Sequence, residues 1–280
     1  MSIITKIVFI ILLLLIPTFS DATTFLSTNW DTGSPSSCWP CKQTSCGDTF
    51  DSFYQSTEPP QAIPNAGRSS TVAHSGTYSF REFRASGLEY GCDIAADLPT
   101  HPTTIYLRFY LYLTSNWSGT WTNNASFMHW LFTNTAQSNT GFRLNLVTAH
   151  EWDVCPSGQL CMLPEGNGGS QWWASSASPT WPKGINFKDY INQWLCLEYK
   201  MQISGSHVIL TEYVNGTQTR QATGPGSNTS YFSKIIFSGW ENSGASHDAD
   251  YYIDDIVVAD SYIGPAASDA PAPPSNLRVQ

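Results

Sequence analysis

Two carboxylates in the segment HEWDVC, Glu151 and Asp153, are the first candidates for chemistry in this sequence. In an extended strand, side chains at i and i+2 lie on one face, roughly 6.6 Å apart, so the pair could share the acid and base steps of glycoside hydrolysis. The next position on that face is Cys155, which leaves no second carboxyl in reach to protonate a leaving group. The alternative is that both acids hydrogen-bond sugar hydroxyls or solvate a loop.

A second set of residues suits β-elimination on a uronate-containing glycan. That reaction needs a cation to neutralise the carboxylate and a His or Tyr to remove the adjacent proton. The candidates are His129 and Tyr199 for proton transfer and Arg81, Arg84 and Arg143 for neutralisation. In a strand, a spacing of three sends Arg81 and Arg84 to opposite faces. A lyase therefore predicts that His129, a tyrosine and an arginine converge in one groove.

Tryptophan provides a third set, for binding without chemistry. Sugar rings present CH faces that pack on aromatic faces, while their hydroxyls need polar partners at the rim. Several of the 11 tryptophans lie in polar surroundings and are predicted to bind sugar, with His129 beside them: Trp117, Trp121, Trp152, Trp172 and Trp173. The alternative for each is packing in a core or loop. That packing is the favoured interpretation for Trp130, Trp194 and Trp240.

An acidic cluster marks the last apolar segment, where Asp254 and Asp255 follow Asp248 and Asp250. Oxygen ligands of this kind could hold a structural Ca²⁺, with Asp255 the best single candidate. The alternative is capping and solvation at the start of a strand. No other cofactor is indicated.

The composition excludes several classes. Lys and Arg number 13 against 22 Asp and Glu, a net charge of −9, and only 12% of residues are charged. No nucleic-acid partner is expected, because phosphate binding needs a positive stripe. The sequence also contains no Gly-x-Ser-x-Gly, phosphate-binding glycine loop or His-Glu-x-x-His, so nothing indicates a serine hydrolase, nucleotide enzyme or zinc peptidase.

The N-terminus predicts a secreted, extracellular protein. Residues 1–22 carry Lys6, then the apolar run VFIILLLLI, and end in Ser-Asp-Ala, a pattern typical of a cleaved signal peptide. The run is too short to cross a bilayer, so no membrane span is expected in the mature chain. Four Asn-x-Ser/Thr sequons predict a glycoprotein if the host glycosylates them.

Seven cysteines in an exported chain favour disulfides over metal thiolates. Cys155 and Cys161 bracket a five-residue loop and are predicted to pair with each other. The segment CWPCKQTSC and one later cysteine predict two bridges of open connectivity among Cys38, Cys41, Cys46 and Cys92, with zinc as the weaker alternative. Cys196 is left over in the apolar run WLCLEY, where a free thiol behaves as a small hydrophobe.

The elements that must position these residues are strands. Short apolar or alternating runs recur between Gly, Pro, Asn and Ser at 77–83, 104–113, 126–132, 141–149, 194–203, 207–214, 233–240 and 250–259. They predict an all-β fold, an antiparallel β-sandwich over residues 66–263. Residues 23–65 are predicted to form a cysteine-rich wrap, and 264–280 a Pro/Ala-rich linker. The final PPSNLRVQ resembles the first strand of a fibronectin type III module, which would be the next domain.

Four segments together resemble the concanavalin A-like lectin/glucanase superfamily, in its polysaccharide-lyase-like and sugar-binding branches. They are HSGTYSFREF, IYLRFYLYL, WLCLEYKMQISGSHVILTEYVNG and YYIDDIVVADSYIGP, and the resemblance covers most of residues 70–265. It implies a jelly roll with a glycan-binding concave sheet, and an Asp of the last strand as a calcium ligand. It does not by itself imply catalysis.

The sequence therefore predicts a secreted, lectin-like jelly-roll domain of a modular extracellular protein that binds polysaccharide. The scarcity of cations favours a neutral over an anionic glycan. Three alternatives stay open: a polysaccharide lyase acting by β-elimination, a glycoside hydrolase with a degenerate Glu-x-Asp motif, and an adhesive or structural surface protein.

Overall fold

The computed structural model describes residues 22–31, 51–53, 67–84, 86, 93–118, 125–132, 142–148, 159–166, 170–171, 185–225, 231–241 and 248–266. These residues contain the following strands: β1 (Thr24–Thr28), β2 (Asp51–Phe53), β3 (Gly67–Ser69), β4 (Ser79–Arg84), β5 (Asp93–Asp97), β6 (Thr104–Leu113), β7 (Ala125–Phe132), β8 (Phe142–Thr148), β9 (Leu160–Gly166), β10 (Ser170–Gln171), β11 (Trp194–Ser204), β12 (His207–Val214), β13 (Thr217–Pro225), β14 (Lys234–Glu241) and β15 (Ala249–Ala259). They also contain 3-10 turns at Ser115–Ser118 and Phe187–Tyr190. Over this part of the chain, no helix has the length and apolar character to cross a bilayer.

The strands form two antiparallel sheets. The eight-stranded sheet has the order β13-β12-β11-β6-β15-β4-β3, with β1 also paired to β15, and the seven-stranded sheet has the order β10-β9-β8-β7-β14-β5-β2. The predicted all-β antiparallel sandwich is confirmed. Of the predicted wrap, β1 and β2 are strands of the two sheets, whereas the domain boundaries themselves stay predictions.

Strict alternation in TIYLRFYLYL explains where the core lies. Ile105, Leu107, Phe109, Leu111 and Leu113 on β6 are all buried. Burying side chains of this size is worth roughly 1.5–3 kcal/mol each. The Phe109 ring meets Phe237 of β14 edge-on, with centroids 5.4 Å apart, so this face of the eight-stranded sheet packs on the seven-stranded sheet. The opposite face is called the outer face below.

A buried ion pair joins the two sheets through the core. Arg220 of β13 donates to the carboxylate of Glu212 from Nη2 (2.6 Å) and Nε (2.8 Å), and its Nη2 also donates to the Met162 carbonyl of β9 (3.0 Å). Glu212 further accepts from the hydroxyls of Tyr199 (3.1 Å) and Thr219 (2.7 Å). Because the carboxylate is fully buried, these donors replace its lost hydration.

Strand β15 is interrupted by a bulge at Asp254 and Asp255. Before it, β15 pairs with β4, and after it, β15 pairs with β1. The register with β6 shifts between Asp254 and Val257, and Asp255 has φ +45°, in the left-handed region. A bulge of this kind changes the direction of side chains locally. Here β15 pairs with neither β4 nor β1 at Asp254 and Asp255, and the loop before β4 hydrogen-bonds to Asp254 instead.

Candidate functional site

The structure places the predicted lyase residues on two different sheets. His129 on β7 and Arg143 on β8 belong to the seven-stranded sheet, where Arg143 pairs with Trp130, the neighbour of His129. Arg81 and Arg84 are on β4 of the eight-stranded sheet. The Arg81 side chain lies on the outer face, away from the seven-stranded sheet, so the expected convergence of Arg81 with His129 is wrong.

Two further predictions are wrong because the side chains belong to the core. Tyr199 lies on the inner face of β11, where it is fully buried out of reach of a substrate and burial raises its pKa well above the ordinary value. Trp117 is 0% exposed, and its indole N–H donates to the Asp250 carbonyl (2.7 Å). Its polar sequence setting did not reveal that the 3-10 turn packs this indole beside Tyr251 of β15.

The other predicted site residues lie outside the described residues and stay predictions. For chemistry these are Glu151 and Asp153; for sugar binding, Trp121, Trp152, Trp172 and Trp173; for disulfides, Cys38, Cys41, Cys46, Cys92 and Cys155. Cys161 is buried on β9 and disulfide-bonded. Cys196 is free and buried, as predicted, and burial raises its pKa to about 11.

A line of side chains crosses four strands on the outer face. In register, Trp194 of β11 pairs with Tyr112 of β6, Tyr112 with Tyr252 of β15, and Tyr252 with Arg81 of β4. Directly opposed residues of an antiparallel sheet share a face. We call these four residues the aromatic row. Packing in a core or loop was the favoured interpretation for Trp194; its ring meets His74 of the loop before β4, but it lies on the outer face of its strand and is partly exposed.

Each ring of the aromatic row contacts the next ring across the sheet, but the rings do not share a plane. The Trp194 and Tyr112 centroids are 5.4 Å apart with planes inclined at 56°, and those of Tyr112 and Tyr252 are 6.1 Å apart at 80°. Tyr112 is partly exposed and Tyr252 is buried, and burial raises the pKa of Tyr252. Arg81 ends the row in an ion pair with Asp250, Nη2 to Oδ1, at 2.9 Å. The row thus offers aromatic contact at Trp194 and Tyr112 and polar groups at the opposite end.

The loop before β4 forms one flank of the row. The His74 ring stacks on Tyr110 with centroids 3.5 Å apart, and it meets Trp194 edge-on at 5.6 Å. Its position is set by the β15 bulge: the backbone N–H groups of His74 and Ser75 donate to one oxygen of Asp254, at 2.8 and 3.2 Å. Loop and bulge together therefore shape this side of the row.

The predicted calcium ligands do not fit a metal in this arrangement. One oxygen of Asp255 contacts His74 Nδ1 and the other accepts from the Ser75 hydroxyl, both at 2.6 Å. The remaining oxygen of Asp254 accepts from the Asp255 backbone N–H at 2.8 Å. Among the described residues, no group of three His, Cys, Asp or Glu side chains is placed to hold a cation. Here Asp254 and Asp255 fasten a loop through N–H and O–H donors.

The two carboxyls of the bulge differ in acidity. Burial, with the neighbouring Asp255 charge, raises the pKa of Asp254 to about 7. Burial acts in the same direction on Asp255, but the hydrogen bonds from His74 and Ser75 bring its pKa below the ordinary value. Asp254 therefore takes up a proton near neutral pH, while Asp255 stays ionised.

Stability at Asp254 should depend on pH. The folded pKa of about 7 exceeds the ordinary Asp value of about 4, so the folded protein binds more protons between these limits and is destabilised as pH rises. Replacing Asp254 with Asn removes this titration. Measured by urea unfolding, the stability of Asp254→Asn relative to the parent should therefore be more favourable at pH 8 than at pH 5.

The matched control is Asp260→Asn. Hydrogen bonds from Thr23 lower the pKa of this carboxyl, so its titration falls below the tested range and its effect should be the same at both pH values. The groups that act on Asp254, namely Asp255, His74 and Ser75, are present in all three proteins. An equal effect of Asp254→Asn at pH 5 and pH 8 would contradict the prediction.

The C-terminal segment covers much of the remaining outer face. We call residues 260–266 the strap. Buried Glu198 accepts from the N–H groups of Ile263 (2.9 Å) and Gly264 (2.8 Å), Arg108 donates to the Gly264 carbonyl (3.2 Å), and the Tyr110 hydroxyl accepts from the Ala266 N–H (2.8 Å). The strap therefore separates the aromatic row from Tyr106 at the far end of β6.

The alternation of residues along β6 is the sequence feature that could have indicated this site. In TIYLRFYLYL, the residues between the buried aliphatic positions are Tyr106, Arg108, Tyr110 and Tyr112. Aromatic residues at three of these four alternate places, on a strand whose other face is apolar, indicate a second contact surface. The partners Trp194 and Tyr252 depend on strand order and register, which the sequence does not reveal.

The two sheets give the antiparallel β-sandwich architecture that the sequence predicted. No protein-family model and no curated protein matches the chain. Among solved structures it is similar to alginate lyase vAL-1 from Chlorella virus (11% identity, TM-score 0.47, covering 70% of this chain and 90% of that one). It is also similar to domain 4 of AbnA, a GH43 extracellular arabinanase from Geobacillus stearothermophilus in complex with arabinotriose (13%, 0.45, 86% and 94%), and to the Ca²⁺/Man2-bound exoplasmic/lumenal domain of VIP36 (8%, 0.45, 82% and 88%). At these identities the likeness concerns the fold alone.

Proposed function

We propose that this protein is a carbohydrate-binding β-sandwich that holds a glycan against the aromatic row. The supporting observation is the in-register line of Trp194, Tyr112, Tyr252 and Arg81 on the outer face. Partly exposed aromatic rings can pack on the CH faces of sugar rings, and Arg81 and Asp250 at the end can hydrogen-bond hydroxyls.

Hydrophobic contact is expected to supply most of the affinity. Covering apolar surface is worth about 25 cal/mol per Å², and the accessible parts of Trp194 and Tyr112 are the apolar contribution of the row. Tyr252 is buried beside Tyr112, so its role is to support Tyr112 rather than to carry the ligand. Trp194 should therefore dominate binding.

We also propose that the domain is exported and belongs to a modular extracellular glycoprotein. Support comes from the signal-like residues 1–22, the cysteine content and the Pro/Ala-rich stretch 264–280 with its fibronectin type III-like end. The loop tryptophans Trp152, Trp172 and Trp173 stay candidates for further sugar contacts. Detection of the protein in culture medium without residues 1–22, by mass spectrometry, would test export.

Replacing Trp194 with Ala should weaken glycan binding at least about tenfold, the loss expected when a central aromatic anchor is truncated. Binding is measured by affinity electrophoresis and calorimetry against soluble neutral glycans, alginate and polygalacturonate. Tyr112→Ala should have a smaller effect in the same direction. Thermal unfolding of each variant separates loss of ligand from loss of fold.

Tyr106→Ala is the matched control, because Tyr106 is on the same strand and face but beyond the strap. It should leave affinity unchanged. Equal losses in Tyr106→Ala and Trp194→Ala, or no glycan binding by the parent protein, would count against the aromatic row as the binding site. Unsaturated products released from alginate or polygalacturonate, detected by ultraviolet absorbance, would instead identify a polysaccharide lyase.

A further inference from the structure

We propose that the ligand of the aromatic row is a single, soluble, uncharged glycan chain, as opposed to the surface of a crystalline polymer or a uronate polymer. This inference rests on the proposed carbohydrate-binding function and names its ligand class. It is carried by three properties of the row: the ring angles, the span across strands and the pairing of its cation.

The angle between the two partly exposed rings disfavours a flat ligand. A crystalline polymer surface presents its sugar faces in one plane, so it needs aromatic rings that share a plane. Here the planes of Trp194 and Tyr112 are inclined at 56°. A flat surface resting on Trp194 would therefore meet Tyr112 at a steep angle. A free chain can rotate one sugar against the next and satisfy each contact in turn.

The span of the row fits a short stretch of such a chain. Trp194 and Arg81 are three strands apart, and neighbouring strands are about 4.8 Å apart. The row is thus about 14 Å long, so a ligand that contacts both of its ends must be longer than one sugar ring. Neighbouring strands are also rotated by about 20–25° each, so a ligand that follows the row must twist along its length.

The charge at the end of the row disfavours uronates. Of the four residues in the row, Arg81 is the one that carries a positive charge. Its guanidinium already forms an ion pair with the Asp250 carboxylate at 2.9 Å. A ligand carboxylate drawn to Arg81 would meet the Asp250 carboxylate, and the exposed Asp248 lies close by, where it accepts from the Ser86 N–H. The whole chain carries a net charge of −9, which adds long-range repulsion. Hydroxyl groups, in contrast, can donate to Asp250 and accept from Arg81.

The test compares three kinds of polymer on the full purified protein. The probes are soluble mixed-linkage β-glucan, xyloglucan and galactomannan; alginate and polygalacturonate; and microcrystalline cellulose and chitin. At least one soluble neutral glycan should bind ten or more times tighter than either uronate polymer. Depletion of the protein by the crystalline polymers should stay at the level of the Trp194→Ala variant.

Asp250→Asn isolates the charge argument. The substitution keeps the shape of the side chain and the Asp250 carbonyl that accepts from Trp117, but leaves Arg81 without its anionic partner. Affinity for alginate or polygalacturonate should rise about two- to fivefold at low salt, the range of exposed ion pairs, and the gain should vanish at high salt. Affinity for the neutral glycan should stay within twofold.

The outcomes separate the ligand class from the function itself. Tighter binding of a uronate polymer or of a crystalline surface overturns this inference and leaves carbohydrate binding in place. Unchanged uronate affinity in folded Asp250→Asn also overturns it, with circular dichroism and thermal unfolding as the check of folding. No binding to any of the seven polymers overturns the proposed function together with the inference.

Discussion

Replacing Arg220 with methionine is expected to lower the free energy of unfolding by about 3–5 kcal/mol, the cost of leaving a buried charge without its partner. Arg220 and Glu212 have side chains that are 1% and 0% exposed, so water cannot replace the lost guanidinium. The substitution also removes the hydrogen bond that Arg220 donates to the Met162 carbonyl of the opposite sheet. Urea unfolding monitored by tryptophan fluorescence measures the change.

The double variant Arg220→Met/Glu212→Leu provides the control. Apolar replacement of both members of a buried ion pair is often neutral or stabilising, so the double variant should be more stable than Arg220→Met alone. The hydroxyl of Tyr199 then loses its acceptor, which limits the recovery. A single variant within about 1 kcal/mol of the parent would show that the ion pair does not hold the sheets together.

Replacing Gly76 with alanine is expected to cost about 3 kcal/mol. Gly76 has φ +60°, a conformation that costs an L residue roughly 1–2 kcal/mol. An added Cβ would also lie 1.6 Å from the nearer carboxylate oxygen of Asp31, which forces that side chain to move. Asp31 accepts from the N–H groups of Thr77 (2.8 Å) and Tyr78 (3.1 Å), and each such bond is worth about 1 kcal/mol.

Gly205→Ala is the matched control for the backbone contribution. Gly205 has φ +61°, but a Cβ there would meet nothing within 4 Å. Its cost should therefore be the conformational one alone, about 1–2 kcal/mol. Equal losses of stability in the two variants, measured by urea unfolding, would contradict the steric role assigned to Asp31.

Eight strands could be predicted from the sequence because their residues form apolar or alternating runs, as expected when one face of a strand is buried. All eight predicted segments are strands, and 104–113 matches β6 without any shift. Strands such as β13 were missed, because TQTRQATGP looks polar throughout. Its inward position is occupied by Arg220, and pattern reasoning cannot recognise an arginine as a core residue when its partner Glu212 is on another strand.

The site was harder to predict because it depends on which strands are neighbours. Tyr112, Trp194 and Tyr252 are far apart in sequence and meet only through the order β11-β6-β15. The individual residue types also misled: Tyr199 belongs to the core although tyrosine suits proton transfer, and Trp117 is buried although its sequence surroundings are polar. Exposure of an aromatic residue is a property of the sheet face, which local composition does not show.

The strap also determines how the domain would respond to tension. A pull on the chain beyond residue 266 first loads the Ala266 bond to Tyr110 and the Ile263 and Gly264 bonds to Glu198. Beyond the strap lies β15, which is held by β6 on one side and by β4 and β1 on the other. Force would therefore detach the strap before it disrupted the strand that carries Tyr252. The C-terminal end of the domain would then extend under load while the aromatic row kept its structure.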